Sequence, residues 1–408
     1  MRASERRRST RQMIGAIEAL DLGPIKFKLM DPQEGEGWTR EFVERMETQF
    51  FPTKTGRFPM LRVAIRSIAA GAALWTMLVS TAAAQLRVPQ EFPTIQAAID
   101  AAPGGATIEV APGTYRENLV IAKSLLLRST DGAALTVIDG GRTGPVVIAS
   151  GNGIESVTIE GFTITNGLNS FNGPGTGGPG GISLDSVIAV IRDNVIQNNT
   201  GCSGGGIGAR TAAATIRNNQ IRNNTQDASC DGADGGGIFI NGDGVAPSLI
   251  SSNTVSGNTV GGRGAGIAVQ GTSNLTIRDN TISGNHADSA GGGAGGGILV
   301  NVASATIRDN TLSGNSAQSG GAMALFPIDN TNLVTARRNT MTNNQATLAG
   351  SAVYLITVPN SLALIENTVS GATATALIYC ETSFTVPASN SLRNAAGPTL
   401  GGSCTPGN

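Results

Sequence analysis

From Gly161 onward one short pattern recurs: an Asn (Gly in the first copy), a small or polar residue, an aliphatic one, two spacers and usually a second Asn. Its anchors are Gly161, Asn194, Asn219, Asn253, Asn280, Asn310, Asn339 and Asn367, with Asn390 closing the series, at spacings of 23 to 34 residues. Periods of that length belong to stacked repeats rather than to a globular core. A second motif, small residues before an aliphatic one, lies upstream of most anchors: Gly204-Gly205-Gly206-Ile207, Gly235-Gly236-Gly237-Ile238, Gly264-Ala265-Gly266-Ile267 and Gly295-Gly296-Gly297-Ile298. Weaker copies end at Met323, Val353 and Leu377.

One period reads as three short strands, for example Gly266 to Gln270, Leu275 to Asp279 and Thr281 to Asn285. Alternation is of period two, so Leu275, Ile277 and Ile282 face one side while Thr276 and Arg278 face the other. Three such strands close a triangular coil, the next coil stacks about 4.8 Å further along, and parallel crossovers wind it right-handed. The fold class predicted is therefore all-β, a right-handed parallel β-helix with three strands per coil. Aromatic residues are only 4% and Gly reaches 56, which suits an interior of Ile, Val, Leu and Ala. Thr94 to Ala102, with Ile95, Ala98 and Ile99 on one face, predicts an amphipathic helix capping the exposed first coil. Strands over Thr107 to Val110, Leu119 to Ile121, Leu125 to Arg128 and Thr136 to Ile138 open the solenoid.

Asn194, Asn219, Asn253, Asn280, Asn310, Asn339 and Asn367 stand where the chain turns between the second and third strands. Asn tolerates left-handed backbone, and stacked amides can bond from coil to coil, so a structural ladder is expected, with Gly161 taking the turn in the first copy.

Upstream, Met60 opens a stretch with Arg62 and Arg66, an apolar run from Ile68 to Val79, and Ala82-Ala83-Ala84 before Gln85. This reads as an export signal over residues 60–84, too short in its apolar part for the roughly 20 residues of a permanent span. Residues 1–59 are then an extension ahead of the start at Met60, the β-helix domain covers 85–404, and 405–408 form a tail. The run from Ile17 to Pro32 is similar to the opening of cytosolic proteins carrying a glycine-rich domain, a likeness that ends by Phe51.

Four Cys accord with export. Cys202 and Cys230 fall in equivalent connections of adjacent coils, and Cys380 and Cys404 in the last coil and tail, which favours bridges within each pair. A periplasmic, extracellular or cell-surface monomer is expected, meeting the membrane only through its export signal. A net charge of −1 gives no electrostatic reason for a nucleic-acid partner.

The stretch Phe92-Pro93-Thr94-Ile95-Gln96-Ala97-Ala98-Ile99-Asp100, with Pro112-Gly113-Thr114-Tyr115-Arg116-Glu117 and Thr136-Val137-Ile138-Asp139-Gly140, resembles the opening of the pectin-lyase-like β-helix superfamily. The Asn repeats are similar to its generic parallel β-helix repeats, and the likeness covers nearly all of 86–404. The resemblance implies the same solenoid and a wide range of roles, from pectate lyases, pectin methylesterases and polygalacturonases to surface adhesins. The Asp-Phe-Ile-Phe-Gly and Leu-Gly-Arg-Pro-Trp runs of the esterases do not occur, nor do the Asn-Thr-Asp and Gly-His-Gly motifs of the polygalacturonases. The lone His286 reads as a solvated loop residue.

Function must then come from outward residues. On the first strand, alternation turns Arg210, Phe239, Asn241, Gln270, Asn301, Phe326 and Tyr354 outward, a mixture of rings and amides suited to a polysaccharide or cell-surface glycan. The face is poor in carboxylates, so binding without catalysis, or an adhesive structural surface, is expected. A divergent polysaccharide lyase, glycoside hydrolase or esterase is the rival. On the second strand Arg192, Arg217, Arg278, Arg308 and Arg337 stack near Asp193, Asp279 and Asp309 as a solvated ladder. No cofactor is expected, although Asp227, Asp231 and Asp234 share a loop whose spacing admits calcium.

Overall fold

The computed structural model describes residues 84–408 except 153–154, 170–177, 228–229, 231–233, 243–246, 272–273, 289–291, 328–331, 359 and 372. The expected extension 1–59 and the expected export signal up to residue 83 lie outside the described residues, as does Asp231. From Gln85 the chain winds into stacked coils whose strands pair in parallel, each with its equivalent one coil away. Among the described residues, first, second and third strands each build an 11-stranded sheet. A fourth, 7-stranded sheet of short strands, such as Thr259–Val260 and His286–Ala287, lies between the third strand and the glycine connection, so the expected triangle has a fourth side over much of its length. His286 belongs to that sheet rather than to a loop; it is exposed, with Nδ1 2.8 Å from Ser316 Oγ.

Period-two alternation places one aliphatic column behind another. Ile207, Ile238, Ile267, Ile298, Met323 and Val353 are in register on the first strand and fully buried. Ile216, Ile250, Ile277 and Ile307 do the same on the second strand, and Ile221, Val255, Ile282 and Leu312 on the third. The expected cap is a helix, α1, over Ile95–Ala101 that buries Ile95, Ala98 and Ile99. The Thr94 hydroxyl accepts from the Ala97 N–H at 3.1 Å, and the Glu117 carboxylate from the N–H groups of Ile95 and Gln96 at 2.9 Å each, so the first turn's free donors are satisfied.

The asparagine ladder is present, and it is double. Asn280 donates from its backbone N–H and from Nδ2 to Oδ1 of Asn310, at 3.0 and 2.9 Å, and from Nδ2 to the Ile250 carbonyl at 3.0 Å. The same links run from Asn194 through Asn219, Asn253, Asn310, Asn339 and Asn367 to Asn390. A second ladder joins Asn199, Asn224, Asn258, Asn285, Asn315 and Asn344 at the next corner. The left-handed backbone, however, belongs to the residue before each first-ladder Asn from Asn194 to Asn367: Asp193, Asn218, Ser252, Asp279, Asp309, Arg338 and Glu366 have φ of 50 to 59°. One residue carries the turn so that the next can aim its amide inward. Gly161, with φ 78°, occupies that turning position rather than the ladder position; buried Phe162 is the ladder equivalent, and its N–H donates to Asn194 Oδ1 at 2.9 Å.

Both expected disulfides are formed, Cys202–Cys230 with a Cα separation of 5.4 Å and Cys380–Cys404 with 5.0 Å.

Candidate functional site

The outward residues of the first-strand sheet fall into two columns rather than one mixed face. Arg210, Asn241, Gln270, Asn301 and Phe326 are in mutual register at the last strand position. Gly208, Phe239, Ala268, Leu299, Ala324, Tyr354 and Tyr379 are in register two residues earlier.

The second of these columns is not solvent-facing over most of its length. Phe239 is 5% exposed, Leu299 is fully covered and Phe326, from the other column, is 8% exposed, with Ala294 of a connection packed among them. The expectation that Phe239 and Phe326 lie open for stacking is therefore corrected. The reason is the glycine connection, which crosses the outer face before entering the strand. Gly264 has φ +68°, and a Cβ there would stand 2.6 Å from Ala268 Cβ and 2.9 Å from Leu299 Cβ. Only a residue without a side chain brings the backbone that close.

What stays accessible is a polar stripe, half-buried Arg210, Asn241, Gln270 and Asn301 at successive rungs about 4.8 Å apart. Beside it Asp234 is almost wholly buried and accepts from Arg263 twice at 3.2 Å, once at 3.1 Å from the Arg263 backbone N–H, and from the Gln270 amide. Burial pushes the Asp234 carboxyl above its ordinary range, outweighing the opposing pull of Arg263. Asp234 thus spends both oxygens on Arg263 and Gln270. Among the described residues no group of three His, Cys, Asp or Glu is placed to hold a metal ion, and Asp231 of the expected calcium set lies outside them, Asp227 inside.

Toward the C-terminal coils the apolar column opens. Tyr354 and Tyr379 stack with centroids 5.9 Å apart and planes at 22°, Phe326 meets Tyr354 edge-on at 5.8 Å, and the Tyr354 hydroxyl donates to Glu381 Oε1 at 2.8 Å. Both tyrosines are half-buried and Glu381 is exposed. Burial and the neighbouring Glu381 carboxylate raise the Tyr354 hydroxyl well above its ordinary value. Tyr379 and Glu381 escape the sequence reading because it aligns Leu377 with Val353, whereas the strand pairs Val353 with Ile378. A slip of one residue exchanges inside for outside, which assigns Tyr379 to the wrong face.

A separate notch of about 400 Å³ on the third-strand side is lined by Thr163, Asp193, Gln197, Gln220 and Arg222, with Arg222 Nε donating to Gln197 Oε1 at 2.9 Å.

A family model described as "Right handed beta helix region" matches residues 136–325 and 206–396. A cell surface glycoprotein of Methanothermus fervidus is 34% identical over 116 residues, which are 28% of this chain and 17% of that protein, so the match spans under a fifth of the relative's length. Among solved structures, an alginate lyase from a Paenibacillus species superposes with a TM-score of 0.47 at 20% identity, covering 76% of this chain and 95% of that one. The A-module of the mannuronan C-5 epimerase AlgE6 from Azotobacter vinelandii gives 0.46 at 19% identity, covering 77% and 94%.

Proposed function

We propose that this chain, which belongs to the right-handed β-helix family, is an exported or cell-surface solenoid that binds carbohydrate along its first-strand sheet without catalysis. The observation that carries the reading is the succession on one sheet of the polar stripe ending at Asn301, Phe326 on the next rung, and the Tyr354–Tyr379 pair with Glu381. Amides at regular intervals suit sugar hydroxyls, and a tyrosine face suits the C–H side of a pyranose ring. Two disulfides and the similarity to a cell surface glycoprotein support a place outside the cytoplasm.

Binding is preferred to turnover on chemical grounds. A β-elimination needs a base poised near neutral pH, and the Tyr354 hydroxyl is shifted the other way. A two-carboxylate hydrolase needs a free acid and base pair, whereas Asp234 is engaged by Arg263.

The test is calorimetry of the purified chain against a panel of neutral and acidic polysaccharides, with reducing ends and unsaturated products followed in the same mixtures. A ligand is expected to bind, Tyr379→Ala to weaken it about tenfold with unchanged circular dichroism, and no product to accumulate. Product formation would transfer the reading to the rival, a polysaccharide-degrading enzyme.

A further inference from the structure

The outer column of the second-strand sheet changes character halfway along the solenoid. In the first coils its signs alternate: Arg87, Glu109, Arg128, Glu160 and Arg192 are consecutive partners in register. Glu109 contacts both Arg87 and Arg128, and Glu160 contacts Arg192, so each carboxylate is answered within the column. From the next rung on the column reads Arg217, Ser251, Arg278, Arg308 and Arg337, with no carboxylate in it.

Flanking turns answer part of that charge. Asp279 takes Arg278 at 2.5 Å, and Asp309 takes Arg308 at 2.7 Å together with Arg338 of the next coil, also at 2.7 Å. Arg217 and Arg337 make no ion pair among the described residues, and Nε of Arg337 is buried without a hydrogen-bond partner. Three like charges, Arg278, Arg308 and Arg337, sit on successive rungs about 4.8 Å apart, and only the first two have a carboxylate beside them. The fold does not require this row of charges, because Ser251 and Ile365 occupy the same column at other rungs. The first coils show that the alternating solution is available to this column.

We infer that the second-strand face from Arg217 to Arg337 is a binding site for an acidic glycan, a linear polymer whose carboxylate or sulfate groups recur along its length and lie across the rungs. Guanidinium groups meet such anions in a charge-assisted, forked geometry. Thr215, Thr276, Thr306 and Thr335, in the neighbouring outward column, add hydroxyls beside each Arg. A nucleic acid fits less well, since these two columns from Arg217 to Arg337 offer no aromatic ring for a base and Asp279 and Asp309 border the stripe. This face is distinct from the first-strand site, and either assignment can fail without the other.

The experiment measures binding of the purified chain to polygalacturonate and dextran sulfate, with neutral dextran and a single-stranded oligonucleotide as comparisons, over a series of salt concentrations. Binding to at least one acidic glycan and not to dextran is expected, weakening as salt rises. Arg217→Gln with Arg337→Gln should reduce affinity about tenfold, and the corresponding Lys pair, which keeps the charge but loses the fork, should fall between the Gln pair and the parent. If the Gln pair does not fold, arginine-selective labelling of the unaltered protein serves instead, with Arg217 and Arg337 protected by the glycan and Arg263 not. Equal affinity of the Gln pair and the parent, labelling without protection, equal binding of neutral dextran, or tighter binding of the oligonucleotide would overturn the assignment.

Discussion

Asn280 accepts from the N–H and the amide of Asn253, at 2.9 and 3.0 Å, and donates to Asn310 and Ile250, so its side chain closes four hydrogen bonds inside the solenoid. Removing it leaves the Asn253 N–H and the Ile250 carbonyl buried without these partners. Asn280→Ala is accordingly expected to lower unfolding free energy by about 2–4 kcal/mol, read by denaturant titration, whereas Asn→Ala at Asn390, where the ladder is only half-buried, should cost less. Asp234 supplies a second test at this scale. Its carboxyl is raised in the folded protein, so its contribution to stability is fully present below the unfolded value of 3.8 and is lost as pH rises through the folded one. The melting temperature of Asp234→Asn minus that of the parent should therefore increase between pH 4 and 7, on top of a constant offset for the Arg263 bonds. Asp309, held down to about 2 by Arg338 and Arg308, acts with the opposite sign at lower pH and cancels in the difference. A flat difference curve would refute the raised carboxyl.

Within each coil, the element that decides the outer surface is the glycine connection. Gly264 and Gly284 both have positive φ, of +68° and +60°, but a Cβ at Gly264 meets Ala268 and Leu299 while one at Gly284 meets nothing within 4 Å. Gly284→Ala should then show only the backbone cost of about 1–2 kcal/mol, and Gly264→Ala a further loss of about 1–3 kcal/mol from forcing the connection off the sheet. Equal denaturation midpoints for the two variants would show that the connection does not press on the outer column. This element also explains why sequence reading finds the outward residues without finding their exposure. Phe239 and Leu299 do point away from the core, as alternation requires, and it is a segment folded back across them that buries them.

At the scale of the whole molecule, each coil touches only its neighbours, so stability is a chain of local terms and its ends open first. The helix α1 rests on the first coils, and Cys380–Cys404 ties the last strand, Leu400–Pro406, to the strand Ile378–Val386. Replacing both cysteines by Ser is expected to cost about 3 kcal/mol, confined to opening of the C-terminal coils. Hydrogen exchange should accelerate over 378–406 and stay unchanged across Ile267–Gln270 and Asn274–Arg278. Acceleration throughout the solenoid would contradict nearest-neighbour coupling.

The sequence by itself determined the solenoid, the inward columns, the first ladder and both disulfides, because each follows from alternation within a strand or from equivalence between periods. The tertiary structure decided the rest. It set the left-handed turn on Asp279 rather than Asn280, since the ladder amide must face inward, and added a second ladder at the next corner. It fixed the pairing of Val353 with Ile378, which brings Tyr379 beside Tyr354. It also laid the glycine connections across Phe239 while leaving Asn241, Gln270 and Asn301 within reach. Alternation tells which way a side chain points; only the packing of distant segments tells what it meets there.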